Sequence, residues 1–319
     1  MSLFPWTTGT VPLMLAPMQG LTNSALRASY IDHYSPDIVF TEFVRVQQQS
    51  RTRIGRSELA EIAAHAADVP LVVQLIGNSG KALADAAKQV QDVGCSHLNL
   101  NLGCPYGRMT TGATGGELLN EPEKLAEILV ELRKAINGSF SVKCRSGYSD
   151  PHQLFELLTL YQDVGIDYVI LHPRTVVQKY NGTADYDLLA EAISRTHLPV
   201  IANGDITTAR IGQSLIQNTG AAGLMLGRGA LADPWLFQRI RGVLPGTVDD
   251  EQRRRDVGDL LKILLPRYCI KFCGERQALM KLKDVLNFIP DDFLQRDLGK
   301  LKRTTSIARF NALLESRFE

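Results

Sequence analysis

The sequence predicts an α/β protein: a (β/α)8 barrel, the TIM-barrel fold, followed by a small C-terminal helical bundle. Three observations support this prediction. Eight short apolar runs recur at intervals of roughly 30 residues, segments with helical spacing of apolar residues separate several of them, and strand-like runs stop after residue 245. A doubly wound sheet is the alternative, but eight similar units favour closure into a barrel.

Each predicted strand is an apolar run that ends in a polar or glycine-rich turn. In chain order the runs are VPLMLAP from Val11, DIVFTEF from Asp37, PLVVQLIG from Pro70, SHLNLNLG from Ser96, FSVKCRSG from Phe140, DYVILHPRT from Asp167, LPVIANGD from Leu198 and AGLMLGRG from Ala222. The intervening segments KALADAAKQVQDVG, EPEKLAEILVELRKAI and DPHQLFELLTLYQDVG carry apolar residues at helical spacing, and two of them end in glycine. These segments predict helices that surround the barrel.

The pattern changes at Pro245 and Gly246. A charged run, DDEQRRRD, follows these residues, and the rest of the chain has helical character. We therefore predict a barrel domain over residues 1–245 and a domain of four helices over residues 246–319.

The composition bounds the class of protein. The 319 residues are 45% hydrophobic, which suffices for a sizeable core and excludes a disordered chain. The start of the chain lacks the basic region of a signal peptide, and no apolar run reaches membrane-spanning length. Five scattered cysteines argue against a disulfide framework. We expect a cytoplasmic protein without membrane or metal, monomeric by default; the net charge of +1 neither indicates nor excludes a nucleic-acid partner.

Polar residues stand at the predicted carboxyl ends of six strands, where barrel enzymes carry their active sites. They are Gln74, Asn99, Asn101, Lys143, Arg145, His172, Arg174 and the loops Asn203-Gly204-Asp205 and Gly227-Arg228-Gly229. The loops after strands seven and eight of such barrels commonly bind phosphate, because glycine lets the backbone approach an anion. Arg228 can pair with the same anion. The sequence therefore predicts a phosphate-bearing ligand at this rim.

Lys143 and His172 each have two interpretations, and the amides of Gln74 and Asn101 have one. Lys143 can be interpreted as a salt-bridge partner at the barrel mouth, for example of Glu42. It can also be interpreted as a cation that stabilises the negative charge of a reduced flavin ring. His172 suits a hydrogen-bonded barrel histidine as well as a functional residue. The amides of Gln74 and Asn101 match the edge of a planar heterocycle.

Together these motifs resemble the tRNA-dihydrouridine synthases. The resemblance rests on APM in the first strand, VQLIG in the third, LNLNLGCP in the fourth, SVKCRSG in the fifth, LHPRT in the sixth, IANGDI in the seventh and LGRGA in the eighth, and it covers nearly the whole chain. It implies FMN at the barrel mouth, NADPH as reductant and tRNA as substrate. It further implies hydride transfer from the flavin to C6 of a uracil in the D-loop, and proton transfer from a cysteine to C5.

The resemblance assigns roles to matching positions. Cys104 is implied as the catalytic acid. Cofactor contacts are implied for Ala16, Pro17, Met18, Gln74, Lys143, His172, Asn203, Gly204, Asp205, Gly227 and Arg228, and substrate contacts for Asn101, Arg145, Lys281 and Lys283. Arg108, a basic residue in the loop after Cys104, is a further candidate for a substrate contact, because it can meet a tRNA phosphate. The chain departs from the family pattern at Asn99, where an acidic residue is common, at Pro173, where glycine is usual, and at Gly116, where serine or alanine is common.

The chemistry explains why a cysteine would stand in a glycine-rich loop. Hydride addition at C6 of uracil leaves an enolate, which a thiol can protonate at C5 as a general acid. The glycines after Cys104 would let the loop close over the base once the flavin has been reduced.

The tail segment 261–283 carries six basic residues against one acidic residue. This charge suits a solvated helix face and also suits tRNA docking, with salt-sensitive binding. Tyr268 and Phe272 can stack on bases, although we expect Phe272 to pack in the core. We interpret Cys269 and Cys273 as core residues rather than half of a metal site.

Two other functions are compatible with parts of the sequence. An FMN barrel acting on a small molecule, similar to dihydroorotate dehydrogenase, would share the phosphate loops and Lys143 but would not need the basic tail. A non-enzymatic RNA-binding protein built on a barrel is the second. The segment NGTADYD from Asn181 resembles the bacterial B-type branch, and the subgroup and the modified uridine are left open.

Overall fold

The computed structural model describes residues 4–50, 52–106, 108–109, 112–289 and 292–318, without the side chains at 108, 109 and 112. The chain divides into two compact units. Unit 1 comprises Met1–Pro17, Asp37–Asp205 and Ser214–Met225, and unit 2 comprises Met18–Pro36, Ile206–Gln213 and Leu226–Glu319. The functional division into a catalytic domain over residues 1–245 and a tRNA-binding domain over 246–319 stays a prediction.

The described residues form eleven strands. In chain order they are β1 (Leu13–Leu15), β2 (Ile38–Phe40), β3 (Val44–Arg45), β4 (Leu71–Ile76), β5 (His97–Leu102), β6 (Arg108–Met109), β7 (Gly112–Ala113), β8 (Ser139–Arg145), β9 (Tyr168–His172), β10 (Val200–Asn203) and β11 (Gly223–Leu226). Eight of them are parallel neighbours in the order β2-β1-β11-β10-β9-β8-β5-β4, and β2 also pairs with β4, which closes the ring. The predicted eight-stranded barrel is therefore confirmed.

The three remaining strands are two-residue segments. β3 pairs with the end of β4, and β6 pairs antiparallel with β7 in the segment after Cys104. None of these was predicted, because two residues are too few to show an alternating pattern. A 3-10 helix, Gly115–Asn120, follows β7.

The helices alternate with the barrel strands and then continue alone. They are α1 (Ser24–Tyr34), α2 (Arg56–Ala63), α3 (Gly80–Asp92), α4 (Pro122–Ala135), α5 (Gln153–Val164), α6 (Tyr186–Ser194), α7 (Ala209–Thr219), α8 (Arg228–Ala232), α9 (Leu236–Ile240), α10 (Asp250–Lys271), α11 (Glu275–Leu286), α12 (Gln295–Lys302) and α13 (Ile307–Arg317). Local signals set their ends: the Ser79 hydroxyl accepts a hydrogen bond from Ala82 N at the start of α3, and Gly165, at φ +81°, ends α5. The three predicted helices correspond to α3, α4 and α5.

The strand register in unit 1 decides which polar residues meet. Gln74 stands opposite Asn99, Asn101 opposite Lys143, and Arg145 opposite His172. Because the strands are parallel, these residues collect toward the carboxyl ends of β4, β5, β8 and β9. The register thus assembles several of the predicted site residues at the same barrel rim.

Unit 2 contains α1 and the helices from α8 onward. Its core includes one stripe of α10 with helical spacing, made of Val257, Leu260, Leu261, Leu264 and Tyr268, all at most 1% exposed. Four helices, α10 to α13, occupy the described part of the C-terminal region, as predicted. Among the described residues, no helix combines the length and apolar character needed to cross a membrane.

Two predictions about this region are wrong. Tyr268 is buried and its hydroxyl accepts a hydrogen bond from Asn23 Nδ2 at 3.3 Å, so it presents no free ring for stacking on a base. Cys269 and Cys273 are exposed rather than in the core. The reason is that Cys269 lies one position off the buried stripe, and Cys273 lies beyond the last residue of α10.

Candidate active site

Cys104 follows β5 and is held at both sides of its peptide backbone. Asn101 Oδ1 accepts hydrogen bonds from Gly103 N at 3.1 Å and from Cys104 N at 3.0 Å. Cys104 O in turn accepts from Gly116 N at 3.1 Å. The side chain of Cys104 remains partly exposed. The Cys104 thiol is therefore presented from a backbone that is hydrogen-bonded on both sides.

The two glycines beside Cys104 leave no space for a side chain. Gly115 has φ +59°, and a Cβ there would lie 3.0 Å from Cys104 Cβ. A Cβ on Gly116 would lie 2.7 Å from Val176 Cγ2 and 3.0 Å from Cys104 O. All three distances are shorter than ordinary van der Waals contact. Close packing thus accounts for glycine at position 116 in this chain.

A ladder of buried amides lies inside the barrel next to Cys104. Gln74 Nε2 donates to Asn99 Oδ1, Asn99 Nδ2 donates to Ser141 Oγ, and Asn101 Nδ2 donates to Gln74 Oε1, each at 2.8 Å. Gln74 has no exposed surface. Its amide is engaged by protein on both sides, and the cofactor contact implied for it stays a prediction.

Lys143 is a partly exposed cation whose ammonium group is surrounded by protein. This loss of hydration, together with the positive charge of Arg145, lowers the pKa of Lys143 to about 8. Its other electrostatic interactions are with Cys144 and Cys104. In the described part of the chain, no carboxylate contributes to the pKa of Lys143. Lys143 therefore offers a positive charge that an anionic ligand can use.

Arg145 is 1% exposed and binds three backbone carbonyl groups. Its Nε donates to Gly103 O at 2.9 Å, and its Nη1 donates to Thr175 O at 2.9 Å and to Lys179 O at 2.5 Å. The ring of Tyr180 covers the guanidinium at 5.4 Å. Arg145 thereby ties the residue before Cys104 to the segment after β9, and its implied contact with substrate stays a prediction.

His172, Arg174 and Asp205 form a connected group at the ends of β9 and β10. Arg174 Nη1 donates to His172 Nε2 at 3.1 Å, and its guanidinium binds both carboxylate oxygens of Asp205 at 2.6 and 3.1 Å. Because arginine cannot accept a hydrogen bond, His172 Nε2 is the acceptor and its proton resides on Nδ1. Gly204, at φ +112°, packs so closely that a Cβ would lie 2.6 Å from His172 Cδ2.

The other implied cofactor residues occupy ordinary structural positions. In unit 1, Ala16 is 4% exposed, and Asn203 Nδ2 donates to Met225 O at 2.9 Å. In unit 2, Met18 N donates to Thr22 Oγ1 at 2.8 Å, Gly227 precedes α8, and Arg228 is exposed. Pro17 is partly covered. Their roles toward a cofactor stay predictions.

Much of the basic charge of the tail is engaged within unit 2. Lys281 Nζ lies 3.2 Å from Asp284 and 3.5 Å from Gly20 O, and Lys283 Nζ donates to Thr304 O at 2.5 Å. Arg267 pairs with Asp32 at 2.6 Å. The side chain of Arg108 lies outside the described residues.

The amino-acid sequence alone did not single out Ser141, Thr175, Lys179 or Tyr180. A signal existed for Ser141, because it stands two residues before Lys143 on β8 and so shares its face. The loop residues gave no such signal, since a contact between two loops leaves no period in the sequence.

The chain is similar to known proteins over most of its length. A family model described as dihydrouridine synthase (Dus) matches residues 14–296. The chain is 33% identical over 246 residues to a tRNA-dihydrouridine(16) synthase of Cupriavidus necator, covering 75% of this chain and 76% of the relative. It is 31% identical over 235 residues to tRNA-dihydrouridine synthase B of Escherichia coli strain K12, covering 73% and 72%.

Among solved structures, morphinone reductase resembles the chain with a TM-score of 0.55 at 13% identity, covering 76% of this chain and 88% of that one. At this identity the likeness concerns the barrel fold.

Proposed function

This chain belongs to the dihydrouridine synthase family, and from that premise we propose that it is a flavin-dependent enzyme that reduces uridine in tRNA to 5,6-dihydrouridine. The observation that carries the proposal is Cys104, presented at the end of β5 by Asn101 and Gly116 beside the cations Lys143 and Arg145. A thiol in that setting suits proton donation to a base.

The residues at the barrel rim fit FMN as the cofactor. Lys143 is a cation without a carboxylate partner among the described residues, which suits the anionic ring of a reduced flavin. By the family resemblance, Ala16, Pro17, Met18, Gln74, Lys143 and His172 would hold the ring region, and Asn203, Gly204, Asp205, Gly227 and Arg228 would hold the phosphate. When bound and reduced by NADPH, FMN supplies the hydride that adds at C6 of uracil.

The proton that completes the reduction comes from Cys104. With a hydride at C6 and a proton at C5, two hydrogens add across the double bond and the charge balances. The thiolate left on Cys104 is attracted to Lys143 and Arg145, both of which interact electrostatically with this sulfur. Water then returns a proton to the sulfur before the next turnover.

The substrate must bring its base out of the stack, because neither face of a paired uracil is open to a barrel mouth. A uridine in the D-loop of tRNA meets this requirement. Asn101, Arg145 and Arg108 are the proposed contacts to the base and its surroundings, and Lys281 and Lys283 are proposed contacts to the tRNA backbone.

The test uses tRNA from cells that lack the gene. The purified protein, with NADPH, is expected to restore dihydrouridine to this tRNA, and to carry the visible absorption of a flavin. Cys104→Ala should retain the flavin but lose at least about a hundredfold in the rate of uridine reduction. Cys269→Ala, which removes an exposed thiol on α10, serves as the control and should react at the normal rate.

A colourless protein, or one that oxidises or reduces a small pyrimidine but leaves the tRNA unchanged, would contradict the proposal. A Cys104→Ala variant with full activity would contradict the acid role alone.

A further inference from the structure

We propose that Asn99 is a positioning residue for Cys104, acting through the buried amides of Gln74 and Asn101. The inference rests on the proposed function, in which Cys104 donates a proton. It concerns a buried residue whose side-chain hydrogen bonds go to Gln74 and Ser141.

The connection is a continuous series of hydrogen bonds. It begins at Ser141, passes to Asn99 and then to Gln74, with 2.8 Å at each step. From Gln74 it passes to Asn101, again at 2.8 Å, and ends on the backbone N–H groups of Gly103 and Cys104.

Every amide in the series can point only one way. The two backbone N–H groups can only donate, so the oxygen of Asn101 must face them and its NH₂ must face Gln74. The oxygen of Gln74 must then face Asn101, which turns its NH₂ toward Asn99. Asn99 must therefore present its oxygen to Gln74. An acceptor at position 99 is thus what the orientations of Gln74 and Asn101 require.

Water cannot take the place of a lost member. Gln74 and Ser141 have no exposed surface, Asn99 is 1% exposed and Asn101 is 8% exposed. A buried amide without its partner is costly, so the neighbouring amide will turn over or shift to find another one. Any such change alters the hydrogen bond between Gln74 and Asn101. The hydrogen bonds from Gly103 N and Cys104 N to Asn101 then weaken.

Two substitutions of similar size separate the effects of the acceptor and of volume. Asn99→Asp keeps an oxygen toward Gln74, and its second oxygen can accept from the Ser141 hydroxyl, which currently donates to Leu98 O at 3.3 Å. Asn99→Leu fills the space but supplies no acceptor. The control is Ser139→Ala, which removes another buried hydroxyl of β8 and its bond to His97 but leaves the ladder intact.

The first experiment separates the two half-reactions of the flavin-loaded enzyme by stopped flow. Asn99→Leu should slow uridine reduction by about tenfold while flavin reduction by NADPH stays unchanged. Asn99→Asp and Ser139→Ala should stay within about threefold of the wild type in both. In a Cys104→Ala background, Asn99→Leu should cause no further loss, because both changes remove the same step.

The second experiment does not depend on turnover. The rate of alkylation of Cys104 by iodoacetamide is measured by peptide mass spectrometry, with exposed Cys269 and Cys273 as internal references. Asn99→Leu should raise the Cys104 rate by about fivefold relative to these references, and Asn99→Asp and Ser139→Ala should not.

The outcomes distinguish the two proposals. If the wild type never reduces tRNA, the proposed function fails, and the alkylation rates still test the ladder. If tRNA reduction proceeds but Asn99→Leu leaves Cys104 alkylation unchanged, or slows both half-reactions alike, or multiplies the loss in the Cys104→Ala background, the positioning role is overturned.

Discussion

Lys143 shows how a single residue of the candidate site works against folding. Burial lowers its pKa to about 8, which means that the folded chain resists keeping this ammonium charged. Below pH 8 the lysine is protonated in both the folded and the unfolded chain, so the folded chain bears the full penalty of a poorly hydrated charge. Functional sites commonly retain such unfavourable groups because the chemistry needs them.

We therefore predict that Lys143→Met raises stability while it removes activity. At pH 7 the midpoint of thermal unfolding should rise by about 2–4 °C, since a neutral side chain of similar length replaces the buried charge. Between pH 8 and about 10.5 the advantage should shrink, because wild-type Lys143 loses its proton in the folded chain first and the penalty disappears. Thermal melts of both proteins across this pH range provide the measurement, and equal melting points at pH 7 would contradict the expectation.

Single residues also mark the limit of what the sequence can predict. Lys143 and Cys104 stand out, because charged or nucleophilic groups at strand ends are uncommon without a function. Arg145 was equally visible, but its three backbone acceptors come from two different loops and leave no trace in the local sequence. Residue type and strand position are local properties, whereas hydrogen-bond partners depend on how distant segments meet.

At the level of elements, the 3-10 helix Gly115–Asn120 packs directly on the residue proposed to transfer the proton. Its first two glycines bring the backbone close to Cys104 and Val176. The conformation of this short element and the placement of the thiol are therefore coupled.

Gly116→Ala tests this coupling. The added methyl group would lie 2.7 Å from Val176 Cγ2, so the segment must shift and the bond from Gly116 N to Cys104 O must weaken. We expect a loss of about 1–2 kcal/mol in the free energy of unfolding and a slower reduction of uridine, measured by urea titration and single-turnover kinetics. Gly246→Ala is the matched control, because its Cβ would lie at an ordinary 3.6 Å from Ala209 Cβ. Normal activity and stability of Gly116→Ala would contradict the coupling, because they would show that the neighbouring side chains relax around the added methyl group.

Elements differ in how well the sequence predicts them. The barrel strands follow from short apolar runs, because they are buried on both faces, and α3, α4 and α5 follow from helical periodicity. The short helices α8 and α9 and the pair β6–β7 show neither signal, since helices this short complete fewer than about two turns and the two β segments are too short to form an apolar run. The exposure of Cys269 depends on the rotation of α10 by one residue, which a broad apolar pattern does not resolve.

For the molecule as a whole, the nearly neutral net charge conceals a segment with an excess of positive charge. The net charge is +1, yet residues 261–283 carry six basic side chains and one acidic side chain. Several of these cations make hydrogen bonds or ion pairs within unit 2. One of them is Lys283, which donates a hydrogen bond to the carbonyl of buried Thr304. Others, such as Arg276, are exposed on α11. The two kinds should behave differently toward tRNA.

We predict that Arg276→Gln weakens tRNA binding without altering the melting temperature of the protein. The plot of log affinity against log salt should become less steep by about one unit, because one phosphate contact is lost. Lys283→Gln should lower the melting temperature as well, because Thr304 O loses its partner. Binding titrations at several salt concentrations and thermal melts measure both effects. If Arg276→Gln leaves the salt dependence of binding unchanged, tRNA does not use this face of α11.

The amide ladder inside the barrel has a consequence for the evolution of this chain. Because each amide in it can point only one way, the positions 74, 99, 101 and 141 cannot drift independently. A mutation that reverses donor and acceptor at one rung is tolerated only when its neighbour changes to match, so substitutions of this kind should be accepted in pairs and otherwise be lost. The barrel interior thereby imposes epistasis on four positions, of which Asn101 is the one that hydrogen-bonds to the backbone of Cys104.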